Sequence, residues 1–152
     1  MAHRAREAHR AVSLEPYAPL AHWYLGRAYL CSNQAERATE ALEHAVALGG
    51  AASLWVAPLC YARARAGDRA GALTLLHELI DRARHEYISP YDLAVAFTGI
   101  GDQACALDHL EQAFSERVMR IVMMGDPEFD GLRAEPRYRR LLDRLRLPSA
   151  PM

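Results

Sequence analysis

The sequence repeats with a period of 34 residues, and this period constrains the fold more than any other feature. Three consecutive blocks align without a gap: residues 19–52, 53–86 and 87–120. The alignment produces two leucine columns and two alanine columns: Leu25, Leu59 and Leu93; Leu42, Leu76 and Leu110; Ala28, Ala62 and Ala96; Ala38, Ala72 and Ala106. A repeat of this length indicates one supersecondary unit that stacks on its own copies.

Each block has the pattern of two helices joined by a tight turn. In the first block both halves carry apolar residues at helical spacing: Leu25, Ala28 and Tyr29, then Ala38, Leu42 and Ala45. Polar or glycine-containing pairs fall in register between the halves: Asn33-Gln34, Gly67-Asp68 and Gly101-Asp102. The pattern predicts an all-α protein made of antiparallel helical hairpins.

The start of the third block carries a helix-capping pattern, Ser89-Pro90-Tyr91-Asp92. Pro90 suits the first helical position. Ser89 is predicted to cap the helix, and Asp92 to complete a capping box.

These blocks resemble the tetratricopeptide repeat (TPR) family, whose repeat has small and large apolar residues at fixed positions. The first block matches at Leu25-Gly26, Tyr29, Ala38, Leu42 and Ala45. The second block departs at Cys60 and Arg63, and the third has Ala94 and Phe97 in those places. The resemblance implies a TPR solenoid, in which stacked hairpins line a concave groove with their first helices.

The two ends of the chain differ from the three hairpins. Residues 1–18 match the second helix of a partial repeat, and residues 121–152 are predicted to form a connector and a capping helix. The capping helix is indicated by apolar residues at helical spacing: Tyr138, Leu141, Leu142 and Leu145. This ending also resembles the C-terminal TPR segments of bacterial multidomain signalling proteins, which implies the tail of a signalling or regulatory protein.

Composition narrows the classes of partner. The formal net charge is -1, with 18 basic and 19 acidic residues, so no bulk field favours nucleic acid or an anionic membrane. No apolar run approaches the length of a membrane span. Three widely spaced cysteines do not suggest a disulfide framework, and a cytoplasmic location is expected.

The predicted binding surface is the concave groove. Aromatic and arginine residues most often anchor interfaces, because they combine a large contact area with a polar group. The predicted partner-binding residues are Trp23, Arg27, Tyr61, Arg65, Tyr91 and Thr98. The predicted function is a scaffold that buries a partner peptide or helix there and orients its carboxylate with arginine. The alternative for each residue is packing within the solenoid.

Other classes of function are weaker. Self-assembly is the first alternative, because the helix at residues 5–14 lacks its own first helix and is expected to expose an apolar face. The seven histidines form no H-x-x-x-H pair, so no metal site is predicted. No nucleophile motif or phosphate-binding loop is present, so neither an enzyme nor a cofactor is predicted.

Overall fold

The computed structural model describes residues 2–118 and 127–146, and all regular secondary structure in these two ranges is helical. The α-helices are α1 (Ala2–Leu14), α2 (Pro19–Cys31), α3 (Ala35–Gly49), α4 (Ser53–Arg65), α5 (Arg69–Arg82), α6 (Pro90–Ile100), α7 (Gln103–Ser115) and α8 (Pro136–Leu145). A 3-10 helix, Pro127–Leu132, precedes α8. The predicted all-α class is confirmed.

Consecutive helices stack by a repeated rule. α2 packs on α3, α4 on α5, and α6 on α7. Each of α1, α3 and α5 also packs on the helix that follows it, and α4 lies between α2 and α6. The alanine and leucine columns of the second helices are buried at these contacts: Ala38, Ala72 and Ala106, with Leu42, Leu76 and Leu110. The periodicity therefore marks the residues that hold the helices together.

Small residues set the distance between helices. A Cβ atom added to Gly26 of α2 would lie 2.5 Å from Cγ of Leu42 on α3, which is closer than side chains can approach. At Gly99 of α6, an added Cβ would lie 2.7 Å from Cα of Tyr61 on α4. Glycine at these two positions permits the observed packing.

The turns combine a left-handed residue with an aspartate cap. Gly67 and Gly101 have positive φ angles of 90° and 85°, which glycine adopts without steric cost. The next residue in each turn then caps the second helix. The Asp68 carboxylate accepts a hydrogen bond from the Gly71 amide at 2.9 Å, and Asp102 accepts one from the Cys105 amide at 3.1 Å.

The capping box predicted at the start of α6 is wrong. Ser89 is the N-cap residue, but its side chain makes no capping hydrogen bond. The Asp92 carboxylate is buried and accepts a hydrogen bond from the Ser53 hydroxyl of α4 at 2.7 Å. Asp92 therefore links two neighbouring first helices, α4 and α6.

The C-terminal end is covered by later parts of the chain. The 3-10 helix packs on α6, where Phe129 is fully buried with its ring centroid 5.7 Å from that of Tyr91 and 6.4 Å from that of Tyr138. α8 packs on α7, and Arg137 pairs with Asp108 at 2.6 Å and with Glu111 at 2.8 Å. The first part of the predicted connector, residues 121–126, lies outside the described residues.

The N-terminal end is less covered by the described residues. α1 packs substantially only on α2, where Ala8 is buried and the Tyr29 hydroxyl lies 2.6 Å from Nε2 of His9. The residues that α1 exposes are mostly charged or polar: His3, Arg4, Arg6, Glu7, His9, Arg10, Ser13 and Leu14. The uncovered apolar surface of α1 is therefore small: Ala5, Ala11 and Val12 are partly buried, and Leu14 is exposed. No described helix is long and apolar enough to cross a membrane.

Candidate interaction surface

Two of the predicted anchors are buried in the core. Trp23 is 5% exposed and Tyr91 is 3% exposed, so neither ring offers its surface to a partner. Trp23 belongs to the cluster formed by α1 to α4, whereas Tyr91 contacts Phe129 of the 3-10 helix. The interpretation of these two residues as exposed anchors is corrected: both side chains pack in the core beneath the surface.

Arg27 lies at the centre of the predicted groove and is paired within the chain. Its guanidinium Nη2 lies 3.1 Å and 3.2 Å from the two carboxylate oxygens of Glu128, and its Cζ lies 4.9 Å from the Trp23 ring centroid. The two paired side chains are only 14% and 9% exposed. Arg27 was predicted to bind a carboxylate of a partner. In the structure it binds a carboxylate of the same chain, that of Glu128 in the 3-10 helix.

The other three predicted residues line one cavity of about 370 Å³, which we call the turn-side cavity. Its walls are Leu30, Cys31, Asn33, Ala35, Tyr61, Arg65, Thr98, Gly99, Pro127, Glu128, Asp130 and Gly131. Arg65 donates a hydrogen bond to the Asn33 side chain at 3.1 Å, and Thr98 donates one to the Ala94 carbonyl at 2.7 Å. Burial raises the pKa of the Tyr61 phenol, so this hydroxyl stays protonated.

A second opening, of about 450 Å³, lies between α1 and α2, and we call it the N-terminal groove. Its lining residues are Arg4, Glu7, Ala8, Ala11, Tyr24, Arg27, Ala28 and Cys31. Three of these eight residues are alanines, and Tyr24 is 54% exposed. Cys31 lines both openings, so they lie next to each other. Of the predicted residues, Arg27 lines the N-terminal groove, whereas Tyr61, Arg65 and Thr98 line the turn-side cavity.

Sequence reasoning missed most of this surface. Glu128 falls within the predicted connector. Nothing in its local sequence pattern reveals a contact with Arg27, about 100 residues earlier. Tyr24 was also missed. The signal that could have identified it is the repeat register, because Tyr24 falls in register with Pro58 and Asp92, which are buried in the later repeats.

Two of the cysteine thiols have raised pKa values. Burial raises the pKa of the Cys60 thiol to about 12, and this thiol donates to the Ala72 carbonyl at 3.2 Å. A hydrogen bond with Asp102 and burial raise the pKa of Cys105. Neither thiol is activated as a nucleophile. No group of three potential metal ligands occurs among residues 2–118 and 127–146.

Comparison with known proteins adds no family assignment. No protein-family model matches the chain, and no curated protein matches it significantly.

Proposed function

We propose that this chain is a TPR-type scaffold that binds a partner segment along the N-terminal groove and the turn-side cavity. The observation that carries the proposal is the partly apolar opening between α1 and α2, with Tyr24 exposed in it and Arg4 and Arg27 in its lining. A concave, partly apolar surface with a few polar groups is the usual form of a binding site.

The TPR assignment is supported by the burial of the repeat. The residues that recur every 34 positions in α3, α5 and α7 are the ones that pack against the preceding helices. Gly26, at a family position, lies directly against Leu42, at another. Both observations favour a repeat whose sequence pattern is set by hairpin stacking.

The predicted role as a tail of a bacterial signalling or regulatory protein remains a proposal. Its support is the resemblance of the C-terminal sequence alone. A scaffold fold hosts many roles, so the binding partner defines the biological function. The cytoplasmic location, and the expectations of no enzyme activity and no nucleic-acid or membrane partner, likewise remain predictions.

Selection of binders from a random peptide library tests the scaffold function. The affinity of each selected peptide is then compared between the original chain and two variants, Tyr24→Ala and Arg65→Ala. Loss of an aromatic or arginine anchor is expected to weaken binding about tenfold. Glu40→Ala, an exposed change on α3 outside both openings, is the matched control. Selected peptides that bind all four proteins equally would contradict the proposed surface.

Self-association is a second candidate, favoured by two exposed side chains in and beside the α1–α2 connection. Leu14 and Tyr17 are 72% and 84% exposed. Light scattering across a wide concentration range tests this candidate. Self-association is supported if the mass of the original chain rises with concentration while the double variant Leu14→Ser/Tyr17→Ser keeps the monomer mass. A constant monomer mass of the original chain would exclude it.

A further inference from the structure

The N-terminal groove lies where the stacking rule places a helix. α2 packs on both α3 and α4, and α4 packs on both α5 and α6. The pair α1 and α2 repeats the packing of α3 on α4. Within the described ranges, however, α1 packs substantially only on α2. No described helix packs against α1 and α2 in the way that α2 packs against α3 and α4.

In the repeat register, the α1 side of the groove corresponds to a surface of α3 that is buried against another helix. The four α1 residues that line the groove, shifted by 34, fall on α3: Arg4 on Ala38, Glu7 on Ala41, Ala8 on Leu42, and Ala11 on Ala45. All four α3 residues are buried in the cluster that includes the apolar face of α2. This side of the groove is therefore equivalent to a surface that a helix covers one repeat later.

The α2 side of the groove leads to the same conclusion. Cys31, shifted by two repeats, falls on Gly99 of α6, where α4 approaches so closely that an added Cβ would lie 2.7 Å from Cα of Tyr61. Ala28, shifted by one repeat, falls on the fully buried Ala62 of α4. By the repeat register, both sides of the groove therefore correspond to residues that contact a neighbouring helix in the later repeats.

The charged residues of α1 indicate which kind of helix the N-terminal groove would bind. Arg4 and Glu7 replace two buried alanines of the next repeat, so the groove has a polar edge that the α2–α3 contact lacks. α1 also exposes Arg6 and Arg10, which makes it basic as a whole. A basic helix attracts an acidic one and repels a second α1, so charge complementarity favours a partner helix over a symmetric contact between two copies.

We propose that the N-terminal groove binds an acidic amphipathic α-helix of a partner protein. Small apolar residues of that helix pack against Ala11 and the exposed Tyr24 ring, and a carboxylate at its edge pairs with Arg4. This inference rests on the proposed scaffold function and specifies the partner, because it requires a helix at α1 and α2 rather than an extended segment in the turn-side cavity.

A designed helical probe tests the proposal. The probe is a fluorescent, lactam-bridged peptide of about four helical turns, with Ala and Leu along one face and Glu at both edges. Two control peptides carry Lys in place of every Glu, or a central Pro that breaks the helix. Fluorescence anisotropy measures their binding to the 152-residue chain. The Glu peptide is expected to bind at least about tenfold more tightly than either control.

Matched variants locate the bound helix. Arg4→Glu is expected to weaken binding of the Glu peptide about fivefold to tenfold, whereas Arg84→Glu, an exposed arginine outside α1 and outside the groove, changes it less than about twofold. Ala11→Trp fills the groove and is expected to reduce binding at least about tenfold. Ser13→Trp is its control on an exposed position of α1. Circular dichroism checks that each variant keeps its helix content.

The inference is overturned by no binding of the Glu peptide up to about 1 mM, by equal binding of the Lys or the Pro peptide, or by equal losses in Arg4→Glu and Arg84→Glu. If one of these results is found and library-selected peptides still depend on Arg65, the helix inference fails while the scaffold function stands. If no selected peptide depends on either opening, both fail. A dimer that buries Ala11 and excludes the probe would identify a second copy as the occupant and refute the acidic partner.

Discussion

The two ends of the helix row follow the same stacking rule but are completed in different ways. At the C-terminal end, α6 and α7 are covered by the 3-10 helix and by α8, with large apolar side chains such as Phe129 and Leu132 fully buried. At the N-terminal end, the described residues leave alanines and Tyr24 of α1 and α2 lining a groove. The difference teaches that a terminal repeat becomes core where the chain supplies large apolar side chains, and remains surface where it supplies alanine and arginine.

The largest expected effect is at the covered end. Phe129→Ala removes a fully buried ring between Tyr91 and Tyr138, so we expect the free energy of unfolding to fall by about 3–4 kcal/mol. Urea denaturation measures this change. Tyr24→Ala, an aromatic deletion in the groove, is the counterpart and is expected to cost less than about 1 kcal/mol, since Tyr24 is largely exposed. Equal losses would mean that the N-terminal end is as closely packed as the other.

The ion pair between the two regions gives the next largest effect. Arg27→Met leaves the Glu128 carboxylate buried without this cation, and we expect a loss of about 2–3 kcal/mol. Adding Glu128→Gln to that variant should restore part of the stability, which a double-mutant cycle measures. Arg63→Met is the matched control, because Arg63 pairs with Glu43 at the same 3.1 Å distance but at a more exposed site. Its expected cost is below about 1 kcal/mol.

The close approach of α4 and α6 gives a smaller effect. Gly99→Ala places a Cβ against the backbone of Tyr61, so the two helices must separate, and we expect a loss of about 1–2 kcal/mol. Thermal and urea unfolding both report this loss. Gly131→Ala is the control, because an added Cβ there meets no atom within 4 Å. If both substitutions have the same effect, helix spacing at Gly99 does not limit stability.

The smallest effect is a pH dependence at the covered end. The His109 ring stacks on Phe97 with centroids 5.3 Å apart, and burial lowers its pKa from 6.5. The unfolded chain therefore binds a proton that the folded chain does not, so stability falls as pH decreases below 6.5 towards the folded-state pKa.

His109→Phe keeps an aromatic ring on Phe97 and removes this titration. We expect its free energy of unfolding to change less between pH 7.5 and 5.5 than that of the original chain, as measured by urea denaturation at both pH values. His77→Gln alters an exposed histidine on α5 and serves as the control. An unchanged pH dependence in His109→Phe would assign the effect to other groups.

Periodicity predicted the elements that depend on local pattern. The leucine and alanine columns predicted the helix class and the buried positions, since stacking requires small and apolar residues at a fixed spacing. The contacts of Glu128, Asp92 and Tyr91 could not be predicted, because each depends on residues far away in sequence that only the packed helices bring close. Aromatic type alone also failed to distinguish the buried Trp23 from the exposed Tyr24.

Backbone hydrogen exchange with and without the Glu peptide tests the central claim most directly, because it compares both ends in one measurement. If α1 and α2 form a groove for a partner helix, the peptide will slow exchange of the α1 amides and of those near Cys31, while α8 keeps its rate. Unchanged exchange in α1, or slowing confined to α7 and α8, would contradict the claim.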